Sequence, residues 1–204
     1  IIEYFSTVYT DENVPHLMSR EGDRKRLISE VYRLVTGEFA DTATINDIGA
    51  MITFAKNMML SDEEIEALSG SGYDTLKIYR EYNLALSSRS LMDYDDQMVT
   101  ALDILRKYPD ILAYFNGRFR YICVDEAQDT SKIQHEIIRL LAAKSGNIFM
   151  VGDEDQSIYA FRGAYPEALT DFEKTYTVHG AEFPLYSRNY RGGGFVRKVQ
   201  SFQT

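Results

Sequence analysis

Asp125 and Glu126 are the residues of this chain best suited to chemistry. They stand side by side at the end of an apolar run, Tyr121-Ile122-Cys123-Val124, and are followed by Ala127-Gln128-Asp129. Asp125 can hold a magnesium ion through water, and Glu126 can orient and deprotonate an attacking water. That is the chemistry of a nucleotide phosphohydrolase. The same acids would also serve as a turn or a helix cap, so a motif this short needs its structural context.

The element that must position them is the apolar run itself. It shows no polar alternation and reads as a strand buried on both faces, with Cys123 a small core residue. Acids at the carboxyl end of such a strand lie where open α/β sheets place their ligands. A second strand candidate, residues 147–151, runs straight into Gly152-Asp153-Glu154-Asp155-Gln156-Ser157-Ile158-Tyr159. Between the two, residues 131–144 carry Ile133, Ile137, Leu140 and Leu141 on a helical stripe, with Asp129 or Thr130 as its cap and Gly146 as its stop. Strand, helix, strand at this spacing predicts a parallel crossover, which delivers both polar segments to one sheet edge.

Three strings then resemble motifs II, III and IV of the UvrD/Rep-type superfamily 1 DNA helicases, in order and in spacing. They are Asp125-Glu126-Ala127-Gln128-Asp129-Thr130, the run from Gly152 through Gln156-Ser157-Ile158-Tyr159-Ala160-Phe161-Arg162-Gly163-Ala164, and Asn189-Tyr190-Arg191. Met92-Asp93-Tyr94-Asp95-Asp96 also resembles an acidic element upstream of motif II in that family. The motif-bearing stretch, residues 91–191, is about half the chain. The resemblance implies ATP and Mg2+ as cofactors, with Asp125 binding the magnesium of Mg-ATP and Glu126 the catalytic base. It implies that Gln156 senses the γ-phosphate, that Tyr190 stacks on adenine, and that Arg191 reaches the γ-phosphate. Gln128 and Asp129 would tie motif II to its neighbours, with Gln128 beside the nucleotide. Tyr159, Phe161 and Arg162 would face single-stranded DNA, through ring stacking on bases and a guanidinium on phosphate. One departure stands out: Gly192-Gly193-Gly194 replaces the serine that usually follows Asn-Tyr-Arg.

None of the 13 glycines belongs to a G-x-x-x-x-G-K-[ST] loop, and the chain has no Gly-Lys pair at all. Such a loop cradles the β- and γ-phosphates. The sequence therefore reads as a piece of a larger helicase whose motifs I and Ia lie upstream, and V and VI downstream. Phosphoryl transfer depends on positioning and charge neutralisation by parts that must all be present. The chain alone is thus expected not to hydrolyse ATP; DNA-stimulated turnover by the pure 204-residue chain is the contrary result.

Composition narrows the class further. The chain has 204 residues, 45% of them apolar, enough for a core in one or two domains. No signal peptide or long apolar span is evident, and one cysteine fits a reducing compartment, so a cytoplasmic protein without a membrane partner is expected. His16, His135 and His179 lack ligand spacing, and no zinc site is expected. Residues 1–90 carry 9 basic and 15 acidic side chains (−6), residues 91–183 carry 9 and 16 (−7), and residues 184–204 carry 4 and none (+4). Such an acidic chain offers few phosphate contacts to DNA by itself. The one compact basic cluster, Arg20 with Arg24-Lys25-Arg26, opens a helix and reads as a solvated face; the resemblance offers contact with duplex DNA as the alternative.

The predicted fold class is α/β: a mostly helical inserted subdomain, and an incomplete RecA-like parallel sheet carrying motifs II and III. Residues 1–90 are expected to be all helix, with helices over 24–35, 46–60 and 75–86, and a capping box at Ser61-Asp62-Glu63-Glu64 opening a short helix toward Gly70. The last long helix would bury Leu76, Tyr79, Asn83 and Leu86. Residues 91–183 would be the partial first RecA-like domain, including a helix to about Lys107, another from Pro109 to Phe115 and one over 166–175. Residues 184–204 would begin the second. Without its phosphate-loop strand the sheet is expected to keep unpaired edges, closed by helices or by self-association with a second copy. Two other functions remain open at this point, a subunit of a recombination helicase–nuclease and a non-catalytic DNA- or protein-binding relative.

Overall fold

Leu27, Ile28 and Val31 lie on one stripe of α2 (Glu21–Thr36) and meet Ile48 and Ile52 of α3 (Thr42–Met58) and Ile78, Tyr82 and Leu86 of α5 (Thr75–Ser88) in one apolar cluster. This is the core of the first of two units in the computed structural model, which describes residues 1–68, 72–152, 165, 185–186 and 196–201. The units span residues 1–100 and 101–204. Full burial of a branched aliphatic side chain is worth about 1.5–3 kcal/mol, so this cluster is a major source of the helical unit's stability. Ile52, with no exposed surface, should lose about 2–5 kcal/mol on Ile52→Ala. Urea unfolding of the chain measures this, and a loss below about 1 kcal/mol would mean the cluster collapses around the gap.

Local signals set the helix limits. Asp41 accepts the Thr44 N–H at 2.7 Å and caps α3, and Asp74 accepts the Lys77 N–H at 2.8 Å and caps α5. Ser61 and Glu64 form the expected capping box at the start of α4 (Asp62–Ala67). Gly37 ends α2 at φ 80°, a left-handed conformation that costs glycine little. Two expectations for this region are corrected. The buried stripe of α5 is Thr75, Ile78, Tyr82 and Leu86, one position away from Leu76, Tyr79 and Asn83, because the Tyr82 hydroxyl has a buried acceptor to meet. The region is also not purely helical after α1 (Ile2–Val8): β1 (His16–Leu17) pairs in parallel with β2 (Leu91–Met92), a two-residue bridge too short for any periodic signal.

The buried acceptor is Asp93. Tyr82 donates to its Oδ2 at 2.9 Å and the Lys56 Nζ lies 3.0 Å from the same oxygen; Lys56 also reaches Asp96 Oδ1 at 2.6 Å. Asp93 and Asp96 close the first turn of α6 (Tyr94–Lys107) reciprocally, each carboxylate accepting the other's backbone N–H, at 2.8 and 3.1 Å. Asp95 accepts from Thr53 and Asn57 of α3 at 2.7 and 2.8 Å. Arg24 donates to the Gly49 carbonyl and to Thr53, each at 3.0 Å, and lies 3.7 Å from Asp95. The reading of Arg24 as part of a solvated face is therefore corrected: it turns inward to this network, while Lys25 and Arg26 stay exposed. Burial pushes the Asp93 carboxyl up, but Lys56, the Asp96 N–H and Tyr82 outweigh it and hold Asp93 below its ordinary value. For Asp96 burial wins, with the Asp93 charge adding to it, and its carboxyl is raised.

In the second unit α7 runs over Pro109–Arg118, with proline in its first turn. The expected crossover follows: β3 (Ile122–Val124), a 3-10 turn over Ala127–Asp129, α8 (Lys132–Ala142) and β4 (Ile148–Gly152). β3 and β4 are parallel, with Ile122 opposite Ile148 and Val124 opposite Met150. The sheet continues with antiparallel β6 (Val196–Ser201) and β5 (Leu185–Tyr186), in the order β3-β4-β6-β5. β4 thus lies between two strands, the second drawn from the chain's own C-terminal segment, and β3 is the end strand. Two further expectations are corrected. β3 is not buried on both faces: Ile122 and Val124 pack with Ala127, Ala142, Ile148 and Met150, whereas Tyr121 and Cys123 are exposed on the alternate face. Side-chain alternation on an end strand with one covered face requires that split. And α8 is capped by neither Asp129 nor Thr130 but by Ser131, in a reciprocal box with Gln134. Asp129 and Thr130 are instead taken up in the preceding turn. Among the described residues no helix is long and apolar enough to cross a membrane.

Candidate active site

Parallel pairing of β3 and β4 puts Asp125 and the end of β4 at Gly152 on one edge of the sheet. Both Asp125 and Glu126 are exposed there. The backbone turns abruptly at Glu126, whose φ of 48° lies in the left-handed region. A non-glycine residue held there costs on the order of 1–2 kcal/mol, so its surroundings must retain it. Three bonds do so. The Glu126 N–H donates to Asp125 Oδ1 at 3.0 Å, the Asp129 N–H donates to the Glu126 carbonyl at 2.8 Å, and Gln128 Nε2 donates to Glu126 Oε2 at 2.7 Å. Gln128 is 1% exposed and Ala127 fully buried, so the turn is anchored from beneath while its acids face out. Partial desolvation and the Glu126 charge hold Asp129 above its ordinary carboxyl value.

A magnesium site built on one exposed carboxylate, completed by waters and substrate phosphates, matches what Asp125 presents. Among the described residues no three His, Cys, Asp or Glu side chains are grouped to hold a metal by themselves. Asp125, Glu126 and Gln128 are thus brought together on one turn. The other residues singled out from sequence, Gln156, Tyr159, Phe161, Arg162, Tyr190 and Arg191, lie outside the described residues, as do the helix expected over 166–175 and Gly192–Gly194.

Sequence reasoning missed two residues beneath the turn. The Thr130 hydroxyl donates to the Ala127 carbonyl at 2.6 Å, and the buried His135 ring places Nε2 against the same hydroxyl. His135 sits five residues along on α8, two residues from both Ile133 and Ile137 and so off their stripe; neither its period nor its spacing marked it as buried or paired with Thr130. Burial lowers the His135 pKa against the pull of the Ala127 carbonyl.

The UvrD/REP helicase N-terminal domain family model matches residues 6–177. The chain is 32% identical over 179 residues to the putative ATP-dependent DNA helicase YjcD of Bacillus subtilis (strain 168), an alignment covering 88% of this chain and 23% of that protein. It is 37% identical over 131 residues to the ATP-dependent DNA helicase PcrA of Staphylococcus aureus (strain Mu50 / ATCC 700699), covering 64% and 18%. With PcrA of Bacillus subtilis (strain 168) it shares 36% over 142 residues, covering 69% and 19%. The chain therefore spans about a fifth of the length of these relatives. With most of its length matched by that one model, the chain belongs to the UvrD/REP helicase N-terminal domain family.

Proposed function

We propose that this chain supplies the magnesium-holding and water-activating part of an ATP site in a DNA-translocating helicase, working 3′ to 5′ on single strands. In this reading residues 1–90 are the helical insertion, residues 91–183 part of the first RecA-like domain and residues 184–204 the start of the second. The observation that carries it is the exposed Asp125–Glu126 pair at the end of β3, with Glu126 held in a left-handed turn by Gln128. A bound magnesium ion would neutralise charge on the β- and γ-phosphates. Asp125 would hold it through water. Glu126 orients the attacking water and takes its proton, and Gln128 keeps that carboxylate from swinging away. Gln156 and Arg191 would face the γ-phosphate, Tyr190 the adenine, and Tyr159, Phe161 and Arg162 the single strand.

Asp125→Asn in the whole protein that carries this chain tests the assignment. Asparagine keeps the acceptor for the Glu126 N–H but removes the charge. Affinity for Mg-ATP, followed with a fluorescent nucleotide analogue, should fall about tenfold or more, while affinity measured in EDTA should not change. Equal affinities for Mg-ATP in the two proteins would sink the assignment.

A further inference from the structure

We propose that His135 and Thr130 are positioning residues for the acidic turn, and that they tie it to the far end of the segment that leaves β4. This rests on the ATP-site reading above. His135 is buried on α8, on the side that carries Ala142 and away from the Ile133–Ile137 stripe, since residues two apart on a helix do not share a face. A buried polar ring costs about 1–3 kcal/mol unless it is hydrogen-bonded, and an aliphatic side chain would fill the place without that cost. The ring nitrogen is committed to Thr130. Because the Thr130 hydroxyl proton goes to the Ala127 carbonyl, its oxygen can only accept from the ring, which assigns the neutral Nε2–H tautomer to His135.

The contacts continue in both directions. On one side the Thr130 N–H and hydroxyl both close on the Ala127 carbonyl, at 3.3 and 2.6 Å. Ala127 directly follows Glu126, so these two hydrogen bonds fix the Ala127–Gln128 peptide, the next one along the turn that Glu126 opens. On the other side the Thr130 carbonyl accepts the Tyr165 N–H at 2.9 Å, and the His135 ring meets the Tyr165 ring edge-on at 6.2 Å. The chain between Gly152 and Tyr165 is the stretch that carries Gln156, Tyr159, Phe161 and Arg162. One end of it is hydrogen-bonded into the sheet through β4 and the other is bonded to Thr130. The catalytic carboxylate and the base of that stretch therefore share one small polar node.

The test uses Thr130→Val, which keeps the shape and removes the hydroxyl, His135→Phe, which keeps a ring against Tyr165, and Thr130→Ser, which restores the hydroxyl. In the whole protein with single-stranded DNA, the first two should lower kcat for ATP about tenfold or more, with KM for ATP within about twofold of the parent. Thr130→Ser should recover most of the turnover. Full turnover in Thr130→Val and His135→Phe, a rise in KM matching the loss, or Thr130→Ser as slow as Thr130→Val would each overturn the proposal. A Glu126→Gln control separates the two readings: if it turns over normally, the ATP-site reading itself fails. If a substitution prevents folding, nitrogen NMR of the unmodified 204-residue chain still decides. His135 should show the neutral Nε2–H tautomer near neutral pH; the Nδ1–H tautomer or a charged ring would overturn the proposal.

Discussion

Glu126→Gln in the whole protein should reduce DNA-stimulated ATP turnover by about 10²–10⁴-fold, the range set by loss of a general base. The substitution is a clean one on this turn. Glutamine keeps an oxygen that can accept from Gln128 Nε2, now 2.7 Å from Glu126 Oε2, and the other two bonds at the turn, from the Glu126 N–H to Asp125 Oδ1 and from the Asp129 N–H to the Glu126 carbonyl, do not involve the Glu126 carboxylate. What disappears is the carboxylate proposed to take the proton of the attacking water. Nucleotide affinity should stay within a few-fold, because Asp125 is untouched. Steady-state phosphate release with saturating single-stranded DNA measures the effect. Turnover within about threefold of the parent would remove Glu126 from the reaction and leave the acidic turn a structural cap.

Lys56→Met should be the most destabilising single change in the helical unit, costing about 3–5 kcal/mol of unfolding free energy. The Lys56 and Asp93 side chains are each only 2% exposed. Removing the ammonium leaves Asp93 and Asp96 facing one another without the charge that both contact, at 3.0 and 2.6 Å. Tyr82 cannot replace it, since a hydroxyl supplies one donor and no charge, and Arg24 lies 3.9 Å from Asp93. Breaking a buried pair costs more than removing both partners, because the surviving charge stays desolvated. Lys56→Met combined with Asp93→Asn should therefore recover part of the loss. Urea unfolding of the 204-residue chain reads both variants. A Lys56→Met cost below about 1 kcal/mol would mean that the network adds no net stability.

Helix starts in both units were legible where short-range signals act alone. Ser61 with Glu64 announced its own cap, and proline opened α7. The face of α5 was misjudged by one position because its register answers to Asp93, a residue on another element. The same holds for Arg24. A basic run at a helix start looks solvated until the carboxylates it faces are known, and these lie on α6, some seventy residues away.

The parallel crossover was legible in the sequence, since strand length, helical stripe and polar endings are properties of consecutive residues. Burial of β3 was not. Which face of a strand is covered depends on what lies over it, and at the end of this sheet Ile122 and Val124 are covered while Cys123 is not. The tertiary structure alone decided that Glu126 stands in a left-handed turn and that Gln128, Thr130 and His135 brace it from below. Hydrogen bonds of that kind join residues whose spacing carries no periodic signal. They exist only once β3, α8 and the chain at Tyr165 have been brought together.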